Sequence, residues 1–320
     1  MIMKITLSHT ITAETVEWIR AGRISRRRRW LLVTGILAFL AFALCAAMLL
    51  LGNTIYPVRD VLAVLAGEEI KGASFAIGTI RLPRMLAGLF AGFAFGISGY
   101  IFQTMMRNPL ANPNVIGITS GSSAAAVFCI IILESSRTVT SIASVIAGLV
   151  TSLLIYVLSR GKASFSIGRM ILVGIGIQAM CNSMITYLML VGEEHNLPAA
   201  VRWLTGSLNG VRMDELPSLI VTCLILVPLI CMFNRPLMML ELGEQTATSL
   251  GVKTDPVRVL LIISAVILAA IATAITGPIA SVAFLAGPIA VRLVGIGAAN
   301  SIPAGLVGAV LVLAGDLIGQ

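Results

Sequence analysis

Nine apolar runs, most of them close to the length of a membrane span and joined by short polar gaps, leave this 320-residue chain few ways to fold. They are Trp30–Leu51, Pro83–Met106, Val115–Leu133, Val139–Leu158, Gly168–Val191, Leu216–Phe233, Val257–Thr276, Pro278–Gly295 and Ile302–Ile318. A hydrocarbon core about 30 Å thick is crossed by roughly 20 residues of α-helix. Backbone polar groups must be satisfied internally in lipid, so runs of this length are helices, not the short alternating strands of a barrel. Composition agrees. The chain is 58% hydrophobic and 11% charged, where a soluble domain carries about 25% charged residues. The sequence thus predicts an all-α, polytopic transmembrane bundle with one membrane domain over residues 30–320 and a basic cytoplasmic segment over residues 1–29.

Charge sets the orientation. Net charge is +8, and Arg26-Arg27-Arg28-Arg29 stands directly before the first run. With the N-terminus inside and the spans alternating, fifteen Lys and Arg fall on inner segments and seven on outer ones. That is the distribution of a multi-pass inner-membrane protein with a cytoplasmic N-terminus. The charge is topogenic, and no soluble face exists to carry a nucleic-acid patch. The polar lead and the first run are both long for a signal peptide, so the first run is read as a retained span. An odd count of spans puts Gln320 on the outer side.

Three features inside the spans speak of packing or of a path. Gly88, Gly92 and Gly96 form a ridge spaced by four, which lets another helix backbone approach closely. Gly277-Pro278-Ile279-Ala280 recurs as Gly287-Pro288-Ile289-Ala290. Such pairs break or kink helices, either to line a transport path or simply to pack. Gln178, Asn182 and Thr186 share one helical face and either line a pathway or hydrogen-bond between helices.

Enzyme chemistry finds no footing. His9 and His195 have no partner His or Cys at metal-ligand spacing, and the five cysteines all sit in apolar runs. No metal site or cofactor is indicated. No Gly-rich loop ends in Gly-Lys-Ser/Thr, so the chain does not hold ATP in a P-loop. Asp316 is the exception among spans nearly free of acids, which disfavours ion-coupled carriers, since these keep ionisable groups near the midplane. Energy is then expected from outside. The longest inner connection, residues 234–258, holds a short helical stretch from Glu244 to Leu250 bracketed by Gly243 and Gly251. A helix so short is unstable alone, and the segment is either docked in a partner's groove or an ordinary surface loop.

Four blocks carry a resemblance. They are Arg81-Leu82-Pro83-Arg84 with the Gly-rich helix after it; Asn108-Pro109-Leu110-Ala111-Asn112-Pro113; Trp203-Leu204-Thr205-Gly206-Ser207-Leu208; and the Leu242–Val252 loop followed by Gly277-Pro278-Ile279 and Arg292. In these the sequence resembles the FecCD-type permeases of ABC importers for ferric siderophores, haem and cobalamin. The resemblance implies a type II importer permease of ten helices, working as a homo- or heterodimer on two cytoplasmic ATPase subunits and receiving ligand from an extracytoplasmic binding protein. It implies a docking role for Arg81 and Arg84, and a gate at Asn108, Pro109 and Leu110 with Ser164 and Ser166. ATPase coupling falls to Leu242, Gly243, Glu244, Ala247, Leu250 and Gly251. An iron–siderophore complex is the implied cargo, with a stand-alone carrier or channel as the alternative. Two departures stand out. Pro288-Ile289 replaces the family's Pro-His, and the sequence ends at Gln320, where the family continues into a tenth helix.

Overall fold

The computed structural model describes residues 13–52, 54–111, 117–159 and 167–320. Among the described residues there is no strand. The apolar runs become α1 (Ala13–Leu50), α3 (Leu82–Met106), α4 (Ile118–Ile131), α5 (Arg137–Ser159), α6 (Ile167–Val191), α8 (Leu216–Met232), α11 (Thr254–Thr276), α12 (Ala280–Val294) and α13 (Ser301–Ile318). Short helices connect them: α2 (Val58–Leu65), α7 (Leu197–Thr205), α9 (Asn234–Glu241) and α10 (Glu244–Ser249). Seven of the helices are long and apolar enough to cross a membrane, while α4 and α12 are shorter.

The axis of the bundle is α3, entered through a π-helical stretch, Phe75–Arg81. It is buried around most of its circumference, which is how a helix apolar on all sides resolves its surface. Helices α11, α12 and α13 surround it. The sequence ridge explains the tightest of these contacts. A methyl placed on Gly92 would stand 2.6 Å from the Gly308 carbonyl oxygen, and one on Gly96 would strike the backbone of Ala304. Gly99 lies equally close to Ala283 on α12. The ridge therefore packs backbone on backbone, and dispersion replaces the hydrophobic drive that lipid does not supply.

Helices α4, α5 and α6 form a second group, joined to the first through α11. Here α5 is built inside out. Thr140, Ser144, Gly148 and Ser152 are buried, whereas Ile142, Ile146, Val150, Leu153 and Val157 are exposed. Small polar residues face protein because they permit close approach and can hydrogen-bond across it, as Ser122 Oγ does to the Ser144 carbonyl at 2.8 Å. The large aliphatic side chains face outward, where lipid is their solvent.

Polar bonds also lock the central group. Ser98 donates to the Ala265 carbonyl, and Gln103 Nε2 to the Phe284 carbonyl, each at 2.9 Å. Arg84 grips Asp316 through Nε and Nη2, both at 2.8 Å. The acid that stood out in the sequence is thus half of an ion pair joining the start of α3 to the end of α13.

The first span continues well beyond the bilayer. At 38 residues α1 is about 57 Å long, so roughly half of it projects past a core of about 30 Å. The projecting part, including Trp18, Arg20, Arg23 and Arg26 to Arg28, is exposed.

Two outcomes test this packing. Gly92→Val is expected to lower unfolding stability by about 1–3 kcal/mol through overpacking against α13, measured by denaturation in mild detergent; a neutral result would deny the backbone contact. Arg84→Ala and Asp316→Ala should be non-additive by about 0.5–3 kcal/mol in a double-mutant cycle.

Candidate functional site

The residues expected to dock, gate and couple gather at the two ends of the bundle, while the expected pathway residues lie along α6. At one end α3 stops in a left-handed residue, Arg107, with φ 49°. Its amide and that of Asn108 return to the Thr104 and Gln103 carbonyls, which closes the helix. The Asn108 Oδ1 then accepts from the Leu110 amide at 2.9 Å. Pro109 cannot continue a helix and biases Asn108 away from one, so a tight turn is built into Asn-Pro-Leu. Leu110 projects outward with 69% of its surface exposed. Ser164 and Ser166, grouped with this turn by resemblance, lie outside the described residues, as do Asn112 and Pro113.

Against this turn sits the 234–258 connection. The expected helix is present as α10, Glu244–Ser249, and Gly243 and Gly251 have φ of +110° and +85°, values that suit glycine alone. A second helix, α9, precedes it. No apolar run announced it, yet Leu237 and Leu240 bury one side of it. Asn234 is held by Ser301 Oγ at 2.5 Å. The Glu241 carboxylate accepts from the Thr104 hydroxyl on α3; partial burial pushes its pKa upward and that hydrogen bond opposes the rise. A methyl on Gly243 would lie 3.4 Å from Arg107 Nη1. The loop and the Asn-Pro-Leu turn are therefore in direct contact.

The residues that the resemblance assigned to coupling divide by exposure. Leu242 and Leu250 are 64% and 56% exposed and leave apolar surface uncovered at this end. Ala247 points the other way: it is fully buried at 0% and belongs to the main core. Glu244 pairs with Arg258 of its own chain at 2.9 Å.

At the opposite end Arg81 and Arg84 are both engaged within the chain. Arg81 donates to the carbonyls of Leu49, Leu50 and Thr54 at 2.9, 3.2 and 2.6 Å, capping α1, and its guanidinium lies 5.0 Å from the Tyr56 ring centre. Arg84 holds Asp316 and keeps 22% of its side chain exposed. Both border a hollow of about 420 Å³ with Thr54, Tyr56 and Gln320. Nearby, Arg137 pairs with Glu215 at 3.1 Å and donates to the carbonyls of Gly210 and Ile275. The third and fourth sequence blocks meet here: the Ser207 amide bonds the Thr276 carbonyl at 2.7 Å, and a methyl on Gly277 would stand 2.9 Å from the Gly206 Cα. The first Gly-Pro pair is a true break between α11 and α12, while Pro288 lies inside α12.

On α6 the polar stripe faces away from the bundle. Asn182 and Thr186 are exposed and Gln178 is half-buried. Thr186 Oγ1 bonds the Asn182 carbonyl of its own helix at 2.9 Å, not a neighbouring helix. His195 stands between Glu134 and Glu193 on the surface, a grouping invisible in sequence because Glu134 arrives from a different loop.

Comparison with known proteins gives a consistent picture. Residues 7–320 match the FecCD transport family. The ferric enterobactin transport system permease protein FepG of Escherichia coli (strain K12) is 35% identical over 84% of this chain and 81% of its own length. The achromobactin transport system permease protein CbrC of Dickeya dadantii (strain 3937) is 33% identical over 94% and 87%. The Fe(3+)-citrate import system permease protein YfmE of Bacillus subtilis (strain 168) is 33% identical over 92% and 88%. A solved inward-facing structure of the metal-chelate type of ABC transporter superposes with a TM-score of 0.79 at 27% identity, covering 89% of each chain.

The burial of Ala247 yields a prediction. Ala247→Trp is expected to unseat α10, at a cost of about 1–3 kcal/mol, and to speed proteolytic cleavage within residues 234–258. Cleavage at the wild-type rate would show that α10 is not seated as described.

Proposed function

Since the chain belongs to the FecCD transport family, we propose that it is the permease subunit of an ATP-driven ABC importer and that its cargo is an iron–siderophore complex. The family match over residues 7–320 carries this reading. It is supported by relatives whose names specify ferric enterobactin, achromobactin and Fe(3+)-citrate. A stand-alone carrier gains nothing from these relatives. The permease hydrolyses nothing itself; ATP is consumed by two separate cytoplasmic ATPase subunits, and a second permease copy or paralogue completes the path.

The end holding Asn108 and α10 is the cytoplasmic one. The excess of Lys and Arg on that side favours this, and the arginine-rich part of α1 meets the end of α12 there through Arg29. The ATPase docks on the exposed side of the 242–251 loop, through Leu242 and Leu250, while Ala247 anchors the loop from behind. Contact of Gly243 with Arg107, and of Glu241 with Thr104, gives the loop a grip on the Asn108-Pro109-Leu110 gate, with Ser164 and Ser166 assigned to the same gate. Rigid helices in direct contact transmit displacement, and the coupling is reciprocal in binding free energy. Gln178, Asn182 and Thr186 face outward because they line a path shared with the second permease subunit, where membrane-depth polar groups find water.

The binding protein docks at the mouth shaped by Arg81 and Arg84. These guanidiniums first hold α1, α3 and α13 in place and then present their remaining positive edge to acidic side chains, steering association at low salt.

Two experiments test the scheme. Leu250→Arg is expected to abolish ATPase co-purification and ATP-dependent uptake of a ferric siderophore together while leaving the protease pattern of the loop unchanged; normal co-purification would place coupling elsewhere. Reversing the pair, with Arg84→Asp and Asp316→Arg, should restore most of the stability lost in either single variant but not binding-protein association. Full association in the reversed pair would remove Arg84 from the docking surface.

A further inference from the structure

At both ends of this bundle some arginines are neutralised by carboxylates. At the outer end Arg84 pairs with Asp316, Arg137 with Glu215 and Arg212 with Asp214. At the inner end Arg258 pairs with Glu244 and Asp255. Arg29, Arg107 and Arg292, like Arg59, Arg81, Arg202 and Arg235, form no ion pair with a carboxylate among the described residues; what sets these three apart is that they meet. All three border a single cleft of about 700 Å³. Its one acid, Glu241, accepts from Thr104 instead. Arg29 donates through Nε and Nη2 to the carbonyls of Leu293 and Arg292, which orients it over the end of α12 but leaves its charge unmatched.

The depth of the cleft is marked by the next residue. Trp30 donates from its indole nitrogen to the Ala299 carbonyl at 2.8 Å, at the point where α1 turns from arginine-rich to apolar. Tryptophan at such a junction marks the membrane–water boundary. The rest of the cleft wall includes Tyr100, Pro109, Val291 and Ile296, the last 84% exposed. Three unmatched guanidiniums beside aliphatic surface, at headgroup depth, complement a phosphate diester carrying acyl chains. Guanidinium forks bind phosphate oxygens bidentately, and basic pockets between helices on the cytoplasmic face suit acidic headgroups.

We propose that the cleft bounded by Arg29, Arg107 and Arg292 is a binding site for the headgroup of an anionic phospholipid. The exposed arginines farther out on α1, Arg20, Arg23, Arg26, Arg27 and Arg28, draw the same lipids by diffuse attraction, which salt screens, whereas the cleft holds one headgroup in place. The site requires only that the chain lie in a membrane. Because the cleft wall includes Asn108, Pro109 and Glu241, an occupied site also braces the turn and the loop described above.

The test uses the purified full-length chain, delipidated and titrated with phosphatidylglycerol, cardiolipin or phosphatidylcholine, with bound lipid counted by native mass spectrometry at moderate salt. Phosphatidylglycerol is expected to be retained about tenfold more tightly than phosphatidylcholine. Arg107→Gln with Arg292→Gln should reduce that preference to within about twofold, while Arg20→Gln with Arg23→Gln, equal in charge removed, should preserve it. Glycerol phosphate in excess should not displace the lipid; displacement would mean that the cleft is a site for free phosphate esters and would overturn the proposal. So would equal retention of the two lipids by the wild-type chain, a measurement that needs no variant to fold. Equal losses in the two variant pairs would reduce the effect to diffuse charge. A cleft variant that keeps its lipid preference but fails to co-purify with the ATPase would make the cleft a protein dock, and the lipid proposal would fall.

Discussion

The closeness of α3 to α13 conditions everything else in this fold. A transmembrane helix gains little by leaving lipid for protein unless atoms meet at van der Waals distance, and only residues without bulk permit that along a whole helix. Gly92 and Gly96 meet Ala304 and Gly308 backbone to backbone. From that contact follow the burial of Ser98 and Gln103, the meeting of Arg84 with Asp316, and the placing of the Thr104–Arg107 turn under α9. The two functional ends are held in register because one helix, packed this tightly, runs between them.

Sequence reading succeeded where the physics is local and repetitive. The hydrophobic runs declared the spans, the glycine spacing declared the ridge, and Gly243 and Gly251 declared the ends of a short helix. It had less purchase where the answer depends on what comes back from far along the chain. The periodic apolar pattern of α9 was too short to be read, and the outward orientation of the α6 stripe is a property of the bundle, not of the stripe. Arg81 and Arg84 illustrate the same limit. Their position at a span end was legible, but their partners are the carbonyls of α1 and a carboxylate near the chain's end, so a reading for an external partner could not see that they also serve the fold. Ala247 was legible as small and placed in the loop; which way it faced was settled only by packing.

The two ends of the chain contrast in how they treat polar groups. At the end of the bundle holding Arg81 and Arg84, those two and Arg137 find anions or helix carbonyls nearby, and the first Gly-Pro pair fixes α7 against the α11–α12 break through Gly206 and Gly277. That end is stitched. At the other end the turn after α3 and the short helices α9 and α10 leave Leu110, Leu242 and Leu250 uncovered, as the first end leaves Ile55, Leu62 and Phe75. Uncovered apolar side chains gathered on one loop suit contact with a partner.

The Arg84–Asp316 pair reaches beyond the finished structure. Its members are separated by 232 positions. A membrane protein is inserted from its N-terminus as it is made, so the guanidinium enters the bilayer long before its carboxylate has been synthesised. During that interval Arg84 has only headgroups and water at the span's end to keep its charge solvated, which its place in the first turn of α3 allows. Closure of the bundle therefore awaits α13, which brings both the small residues that admit α3 and the acid that discharges its mouth. Assembly of this permease is timed by the arrival of α13.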